Sequence, residues 1–442
     1  ETGFPAWDTD NGNIFLDDDW EMRFYDLTRE REGMTIDMDF EYSPNTSFFA
    51  NYLFNEYVDD EIRHKDEYRA RNVVESSITS TSAAYQRITA DKETRKRIET
   101  RQIKTQIVGG ETNLGDLNFK FQASNSFAEE ADDNNVDAKF RSECRIREGD
   151  EICGIYNWSN PQFIDLVLAP AASDLLDPSS YGWDEFEIDY GVIQDKEKAV
   201  KFDFENENFE LFSTPMILQF GYKYSTRTKS NTEGNIDGSD AMSPFGMISY
   251  SPYTPDKWYF PQTLGFFADP DLLFGAQDQF RPLDVDLADF WETEEEINAL
   301  YLMSTFDYGN AVIVAGVRHE NTSFNTFGYN DGDINDVLSF SRDYGFTAPS
   351  INVKYFLDDN TQLRAAFYRS LSRPGFGETA PIADISENEG GGQFRGSMGN
   401  PDLEPYEASN LDVSYEYYDD GLVLTAGVFY KDIENTIYRR FV

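Results

Sequence analysis

The chain has two cysteines, Cys144 and Cys153, which lie nine positions apart in the segment CRIREGDEIC. A pair at this spacing in a polar, turn-rich stretch can close a small disulfide loop, and such a bond requires an oxidising compartment. Two unrelated free thiols are the alternative. Zinc is disfavoured, because the two histidines, His64 and His319, are far away in sequence and neither has metal-ligand spacing. We predict a disulfide within a loop.

The segment NDGDIND offers oxygen atoms at alternate positions, as calcium-binding loops do. Asp331, Asp333 and Asn335 have this spacing, but Asp336 stands where such a loop needs its turn glycine. Calcium is therefore a candidate for this loop, and no other cofactor is expected. The sequence contains no HExxH, no G-x-S-x-G and no glycine-rich loop ending in GK[ST]. We predict that the protein is not an enzyme.

The tryptophans fall in presumed loops or at junctions between loops and strands. They are Trp7, Trp20, Trp158, Trp183, Trp258 and Trp291. An aromatic girdle at a membrane interface would explain Trp20 and Trp291. The three in the middle lie deeper in long connections, where an indole face could stack on the C–H face of a sugar ring. Trp158, Trp183 and Trp258 with its neighbour Tyr259 are therefore candidate ligand contacts, and loop packing is the alternative.

Composition excludes several classes of protein. The 442 residues carry 82 acidic and 37 basic side chains, and this net charge of -45 argues against nucleic-acid binding, which depends on Lys and Arg. Aromatic residues make up 15% of the chain, too many for a disordered acidic protein. No apolar run approaches the ~18–20 residues of a membrane helix. The first residues, ETGFPAWDTD, show no signal peptide, so we expect either a cytosolic protein or one whose start has been removed.

Apolar and polar residues alternate with period two over long segments, which predicts β-strands with two different faces. One face should bear Leu218, Phe220, Ile313, Val317, Phe367, Val413 and Tyr415. The other should bear Lys223, Arg318, Arg364 and Glu416. In a membrane the first set would contact lipid and the second would face a wet lumen, because a charge at the hydrocarbon midplane costs about 2–4 kcal/mol. Arg318 and Arg364 are therefore candidate ligand contacts.

Short and long connections alternate along the chain. Tight turns are expected at 43–46, 109–115, 307–310, 357–360 and 418–421, with a looser one near 206–214. Between them we expect long connections at about 59–90, 129–195, 228–287, 324–344 and 373–403. A soluble β-sandwich has short links at both ends, whereas a transmembrane β-barrel has short periplasmic turns and long extracellular loops. The pattern predicts an antiparallel up-and-down transmembrane β-barrel with 12 or 13 strands in this chain.

The basic segment KETRKRIETRQIK, residues 92–104, has no clear period. As a helix it would contain several charge pairs at i,i+4 spacing. As the upper part of a strand it could meet lipid headgroup phosphates. A solvated charged face is the third alternative.

Several phrases, taken in order, resemble the TonB-dependent outer-membrane receptors. They are DFEYSPNTSFFANYLFNEYVDDEIRHK, KFDFENENF followed by LQFGYKYSTRTKS, EEINALYLM, VAGVRHENT, RAAFYRSLSRPGFGETAP, GNPDLEP, NLDVSYEYY and GVFYKDIENTIY. The resemblance covers most of the chain and is strongest from about residue 200 onward. It implies a 22-stranded barrel, a plug inside it, and uptake driven through the inner-membrane TonB complex.

The sequence departs from that family pattern at both ends. It shows no plug segment and no TonB box, and it stops at YRRFV without a closing series of strands. We therefore expect residues 1–442 to form an incomplete barrel domain whose first and last strands do not meet. In particular, the strand at Leu422–Lys431 should not pair with the strand near Met34–Tyr42.

The resemblance implies an active transporter in the outer membrane of a Gram-negative bacterium. It favours an oligosaccharide as the imported solute, with a siderophore or another chelate as the alternative. Expected partners are outer-membrane lipid and lipopolysaccharide, the TonB complex, the solute and an accessory surface lipoprotein, but no nucleic acid. Two other functions stay open, namely a passive porin and a secreted all-β carbohydrate-binding or carbohydrate-active protein.

Overall fold

The computed structural model describes residues 7–10, 13–16, 19–160, 165–211, 214–254, 265–277, 286–387 and 394–438. Strands β1 to β10 are Trp7–Asp10, Asn13–Leu16, Asp19–Ser43, Thr46–Val73, Ser82–Leu114, Leu117–Arg145, Gly154–Asn157, Asp165–Leu168, Gly182–Leu211 and Thr214–Asp237. Strands β11 to β20 are Pro252–Tyr253, Phe267–Ala268, Asp286–Asp307, Ala311–Tyr329, Val337–Phe356, Thr361–Ser372, Ala383–Glu387, Phe394–Met398, Tyr406–Asp419 and Leu422–Glu434.

The helices are short. In the described ranges the α-helices are α1 (Ser239–Met242) and α2 (Pro270–Ala276). Single 3-10 turns or pairs of turns occur at Glu75–Ser77, Pro170–Leu176, Pro178–Ser180, Met247–Tyr250, Asn330–Gly332 and Phe376–Glu378. Within the described ranges, no helix combines the length and the hydropathy needed to cross a membrane.

Twelve strands form one continuous antiparallel wall. Their order is β3-β4-β5-β6-β9-β10-β13-β14-β15-β16-β19-β20, and β7 and β8 extend the wall beyond β5 on the loop side. Three separate hairpins pair β1 with β2, β11 with β12, and β17 with β18. The predicted all-β antiparallel fold is therefore confirmed, with a strand number in the wall that lies within the expected range.

The two ends of the wall are β3 and β20. In the described part of the chain no hydrogen-bond ladder joins these two strands, as expected for Leu422–Lys431 and Met34–Tyr42. Every residue of β20 is exposed. Both outer strands thus present unpaired backbone groups along one edge.

The tight connections all lie at one end of the wall, which we call the turn end. They join β3 to β4, β5 to β6, β9 to β10, β13 to β14, β15 to β16 and β19 to β20. Three of them contain a glycine in the left-handed region, at Gly115 (φ 69°), Gly309 (φ 79°) and Gly421 (φ 89°), where a side chain would be strained. The opposite end, the loop end, carries the longer connections, so the predicted asymmetry is confirmed.

Three predicted long connections are much shorter in the structure. β4 continues to Val73 and β5 begins at Ser82, so most of 59–90 is strand, and the basic segment 92–104 lies wholly within β5. Similarly, β6 continues to Arg145 and β9 begins at Gly182, and β15 begins at Val337. For 59–90 the reason is that charged side chains replace apolar ones at many positions and pair across strands, as Lys65 Nζ does with Glu93 Oε2 at 2.5 Å. A hydrophobic pattern cannot reveal such strands.

The ladder registers divide the wall into two faces. Residues directly opposite each other share a face, and one face bears an apolar band near the turn end in all twelve strands. We call it the apolar face, and the opposite one the charged face. In chain order the band includes Met38, Phe48, Val108, Phe121, Phe202, Phe220, Leu302, Val317, Ile351, Phe367, Val413 and Val428.

The predicted division of these residues between two opposite faces is confirmed by these registers, whereas the contact of one face with lipid stays a prediction. Phe220, Val317, Phe367, Val413 and Tyr415 all lie on the apolar face, and each is exposed there. Leu218 and Ile313 alternate with them on the same face. Lys223, Arg318, Arg364 and Glu416 occupy the intervening positions and therefore lie on the charged face.

At the loop end of β3 to β10 the apolar face is covered. Trp20, Tyr68 and Phe140 belong to one buried cluster, together with Tyr156 and Met247 from segments 154–181 and 238–277. The β3–β4 ladder has no register shift between Glu41 and this cluster, and the β4–β5 ladder has none before Arg71, so the cluster lies on the same face as the apolar band. We call this cluster the loop-covered core.

Candidate functional site

The charged face carries a network of ion pairs along β4, β5 and β6. Arg63 Nη2 lies 2.9 Å from Asp137 Oδ2 and also pairs with Glu93. Lys65 contacts the other oxygen of Glu93. Burial by itself would raise the pKa of Glu93, but Arg63 and Lys65 hold it below its usual value. Burial and the neighbouring Glu93 raise the pKa of Asp137 to about 7.

Arginines concentrate at the loop end of this face. Arg71, Arg87 and Arg145 are directly opposite one another on β4, β5 and β6. One row nearer the turn end, Arg69 is opposite Thr89 and Thr89 is opposite Glu143. Like charges directly opposite each other on neighbouring strands are destabilising unless an anion neutralises them.

Arg71 and Arg87 of this row help to line a groove of about 310 Å³, which we call the arginine groove. Its lining consists of Arg69, Arg71, Arg87, Thr89, Arg141 and Glu143. Asp91, buried beneath it, accepts hydrogen bonds from Arg141 Nε (2.7 Å) and Nη2 (2.9 Å) and pairs with Arg69. Arg87 pairs with Glu143. A guanidinium has five N–H donors, so these carboxylates leave donor capacity for a further anion.

The arginine groove was missed by the sequence analysis. A signal was present, because Arg69 and Arg71 are spaced two apart and would share one face of a strand. The segment was interpreted as a loop, however, and a loop gives no such face. Arg87 and Arg145 come into the same row only through the ladder registers.

Arg318 and Arg364 also lie on the charged face, but apart from each other. Arg318 Nε is 2.7 Å from Glu320 Oε1, and Glu320 pairs with Arg373 at 2.7 Å. Arg364 is opposite Lys354 on β15, which in turn is opposite Val312 on β14. Arg318 is six residues farther along β14, roughly 20 Å away at the usual rise of a strand. The structure does not bring these two candidates together.

Trp158 and Trp183 both pack with the loop-covered core. Trp158 is 8% exposed, and its Nε1–H donates to the backbone oxygen of Ser80 at 3.1 Å. Trp183 packs edge-on against Phe140 and stacks on Tyr250, with ring centroids 5.0 and 5.9 Å apart. Such packing leaves little ring surface for a solute. Trp258 and Tyr259 lie outside the described residues.

The interfacial interpretation of Trp20 and Trp291 is wrong. Trp20 is 4% exposed and stacks on Tyr68 in the loop-covered core, with centroids 6.0 Å apart. Trp291 is 8% exposed and alternates onto the charged face, opposite Asn231. Neither indole is available to a membrane interface, because neighbouring strands and loops cover it. Trp7 lies in β1.

Cys144 and Cys153 form a disulfide, with their Cα atoms 5.8 Å apart. The bond links the end of β6 to the residue before β7, and both cysteines are buried in the loop-covered core. It therefore closes the connection 145–152 against the core.

The candidate calcium loop begins with the 3-10 turn Asn330–Gly332, which includes the backbone of Asp331. Asp333 Oδ1 accepts hydrogen bonds from the backbone N–H (2.9 Å) and the side-chain Nδ2 (3.0 Å) of Asn335. The backbone N–H of Asn335, and then its side chain, lower the pKa of Asp333. Among the residues that the structure describes, no group of three or more His, Cys, Asp or Glu could hold a metal ion. Calcium stays a prediction.

Comparison with known proteins identifies the family of this chain. Residues 149–442 match the family described as TonB dependent receptor-like, beta-barrel, and the chain belongs to this family. Its members are outer-membrane β-barrels and receptors rather than enzymes, which places this wall in the outer membrane of a Gram-negative bacterium. No curated protein matches the chain.

Similar solved structures include receptors named for siderophores or ferric complexes, and a copper transporter, OprC. The ferric-catecholate import receptor Fiu from E. coli K12 has 12% identity and a TM-score of 0.48, covering 97% of this chain and 61% of its own. The siderophore receptor PiuA from Acinetobacter baumannii has 10% identity and a TM-score of 0.45, covering 93% and 56%. The ferric yersiniabactin receptor FyuA from Yersinia pestis has 9% and 0.40, covering 93% and 54%. The chain thus spans little more than half of their length.

Proposed function

We propose that this protein is the barrel wall of an active transporter, which binds a scarce solute at the loop end of its lumen and passes it to the periplasm with energy from the TonB complex. Membership of the receptor family supports this proposal. The two faces of the wall support it as well, since an apolar band and an opposite charged face suit a boundary between lipid and a wet passage. The reaction requires no covalent chemistry.

The solute that the described residues favour is an anion, such as a chelate bearing carboxylate or phosphate groups. The observation that carries this is the row of Arg71, Arg87 and Arg145, three like charges directly opposite each other in a chain of net charge -45. Guanidinium groups bind carboxylate and phosphate through paired, charge-assisted hydrogen bonds. An anion in the arginine groove would remove the repulsion within the row.

An oligosaccharide, which the sequence analysis favoured, is the second candidate. It would stack on aromatic side chains, but Trp158 and Trp183 are engaged in packing. A neutral sugar would also add no charge to offset the repulsion within the arginine row. We therefore rank the anionic solute first.

Energised transport is tested by uptake in cells. The full-length protein would be produced in a receptor-deficient Gram-negative host, and uptake of radiolabelled ferric citrate and of maltohexaose would be measured with and without a proton uncoupler. We expect uptake that the uncoupler abolishes. Uptake that persists after the proton gradient collapses would instead identify a passive porin.

The solute class is tested by binding to the purified full-length protein. The double variant Arg71→Gln/Arg87→Gln, which changes two residues that line the groove, should weaken binding of an anionic chelate at least about tenfold, because one charge-assisted contact contributes about 1.5 kcal/mol or more. The control is Arg101→Gln, on the same face but in the turn-side half of β5. Binding of maltohexaose that is unaffected by the double variant, with no binding of any anionic probe, would favour the oligosaccharide.

A further inference from the structure

The arginine row lies where β5 exchanges one partner strand for another. The β5–β6 ladder ends at the pair Arg87–Arg145, and the backbone N–H of Ile146 donates to the backbone oxygen of Gln86 at 2.8 Å. Beyond this point β5 pairs with β7 instead, and residues 147–152 leave the sheet between the two ladders. Arg145 is therefore on the last rung of its ladder, where strands open most easily.

The other side of the row is irregular as well. The β4–β5 ladder is regular up to the pair Arg71–Arg87 and shifts its register immediately afterwards. Asn72, at this shift, has a φ of 59°, which is in the left-handed region. Both β4 and β6 therefore lose their regular pairing with β5 just past the row, and these two ladders support the row from one side only.

Charge repulsion opposes the pairing of this last row. Arg87 and Arg145 are directly opposite each other, and like charges in such positions destabilise a pair of strands. Glu143 offsets part of the repulsion, because it pairs with Arg87. Arg145 is exposed and lies beyond this ion pair, at the end of β6. Without a further restraint, we expect the end of β6 to separate from β5.

The disulfide restrains this end of β6 from the opposite face. Cys144 lies between Glu143 and Arg145, so its side chain points to the loop-covered core while theirs point to the charged face. Its bond to Cys153 joins the end of β6 to the residue that precedes β7. The backbone N–H of Cys153 donates to the backbone oxygen of Tyr85 at 2.8 Å. The bond thus ties the last rung of β6 to a part of β5 that lies beyond the row.

Gln86 holds the segment 147–152 on the same side as the disulfide. Its Nε2 donates to the backbone oxygens of Gly149 and Glu151, at 2.9 and 3.2 Å. Gln86 alternates with Arg87 along β5, so these contacts are made on the face opposite to the arginine groove. The lining of the groove includes no residue of this segment. The connection that the disulfide closes therefore leaves the groove open.

We propose that the Cys144–Cys153 disulfide positions the arginine groove: from the opposite face it keeps Glu143 and Arg145 in line with Arg87 against the repulsion between the two arginines. Neither sulfur contacts the solute. The effect on solute binding rests on the proposed function, whereas the effect on the row does not. A solute that binds the disulfide form more tightly must in turn favour that form by the same factor.

The first test is hydrogen exchange at the Ile146 amide of the full-length protein without a solute. Replacing both cysteines by alanine should speed this exchange at least about tenfold, because the loop closure that holds the last rung is lost. Adding Arg145→Gln to the cysteine variant should slow the exchange again about fivefold, because the like charge is removed. Two matched controls should not slow it: Arg145→Lys keeps the charge, and Arg147→Gln removes an exposed arginine outside the row.

Two results of this test would overturn the proposal. Equal exchange after Arg145→Gln and Arg147→Gln would show that the disulfide stabilises the core without opposing the repulsion. Exchange that is unaffected by loss of the disulfide would show that the last rung is held in another way. If the cysteine variant does not fold, the same comparison is made on wild type, Arg145→Gln and Arg147→Gln after reduction with dithiothreitol.

The second test measures binding of citrate, an anion that thiols do not reduce. The cysteine variant should bind citrate at least about fivefold more weakly than wild type. Saturating citrate should raise, by the same factor, the ratio of reduced to oxidised dithiothreitol at which half of the disulfide is open. Citrate binding that does not depend on the disulfide would overturn the link to the solute. No citrate binding to wild type would instead contradict the anionic solute, and the exchange measurement would still decide how Arg145 is held.

Discussion

The loop ends of the N-terminal and C-terminal strands hold similar ion pairs in very different surroundings. In the loop-covered core, Lys92 Nζ lies 2.7 Å from Asp66 Oδ2, and both side chains are 0% exposed. In the strands β13 to β20, which we call the C-terminal wall, Arg369 on β16 lies 2.5 Å from Glu407 on β19, with exposed fractions of 35% and 28%. The contact distances are nearly equal, so the free energy that each pair contributes depends on how much water remains around it.

Burial makes the Asp66–Lys92 pair dependent on its neighbours. Burial raises the pKa of Asp66 and lowers that of Lys92, while the attraction between the two groups opposes both shifts. Asp66 also accepts a hydrogen bond from the hydroxyl of Tyr68 at 3.0 Å. Phe266 and Phe267 place their ring centroids 5.0 Å from Lys92 Nζ and exclude water. Removing one member therefore leaves a buried charge without its counter-charge.

The largest expected effect is that of Lys92→Met. It should reduce the free energy of unfolding of the full-length protein by about 3–5 kcal/mol, because Asp66 would remain buried without its partner. Denaturant unfolding in lipid bilayers measures this change. The double variant Asp66→Leu/Lys92→Met should recover most of the loss. A single variant as stable as the wild type would show that water reaches Asp66.

Removing the disulfide should have a somewhat smaller effect, confined to the loop-covered core. Replacing Cys144 and Cys153 by alanine should reduce stability by about 2–3 kcal/mol, the loop-closure contribution expected for a loop of this size. Hydrogen exchange should quicken in residues 145–157 and stay unchanged in β13 to β20. Equal acceleration in both regions would contradict the distinction between the loop-covered core and the C-terminal wall.

The next prediction concerns pH and His64, which is buried beside Lys92. Its Nδ1 lies 3.1 Å from Thr94 Oγ1, and its ring packs on Phe267. Burial, and then Lys92, lower the pKa of His64 to about 3. The unfolded chain binds a proton below about pH 6.5, whereas the folded chain does not until about pH 3, so stability should fall as the pH falls through this window.

The slope attributable to His64 is at most about 1.4 kcal/mol per pH unit. Thermal unfolding of wild type and His64→Gln between pH 7.5 and pH 4.5 measures it, and the difference between the two curves isolates this group from Asp66 and other carboxylates. His319→Gln is the matched control, because it replaces the other histidine of the chain, which is exposed. A wild-type slope unchanged in His64→Gln would mean that the imidazole is solvated.

The smallest effect is expected in the C-terminal wall. Arg369→Gln should change the free energy of unfolding by only about 0–1 kcal/mol, because water screens the partly exposed pair with Glu407. High salt should remove even this difference. A loss as large as that of Lys92→Met would mean that another segment covers the C-terminal wall as loops cover the core.

The residues near the turn end could be placed from the sequence. Phe220, Phe367 and Val413 alternate with charged neighbours, and a period of two leaves one register that keeps the charges out of lipid. The turns at Gly309 and Gly421 were also recognisable, because a turn position with left-handed backbone angles favours glycine. Alternation and turn chemistry depend on residues close together in the chain, so they can be recognised from the sequence before the fold is known.

The loop end could not be placed in this way. The strands around Lys65 and Glu93 are held by charges that pair only once β4 and β5 are in register. Their apolar alternation is interrupted by charged residues, since Asp66 and Lys92 lie on the apolar face. Trp183 packs against Tyr250, a partner from a distant loop.

By itself the sequence determined the antiparallel wall, the facing of its lipid-contacting strands and the end that carries the turns, because these follow from periods and residue types within a few positions. The tertiary structure alone decided which loop covers the core, that Lys92 and Asp66 are buried together, and that Arg71, Arg87 and Arg145 form one row. Those arrangements depend on the register between strands far apart in the chain, and a register is fixed by the summed packing of whole strands rather than by any short segment.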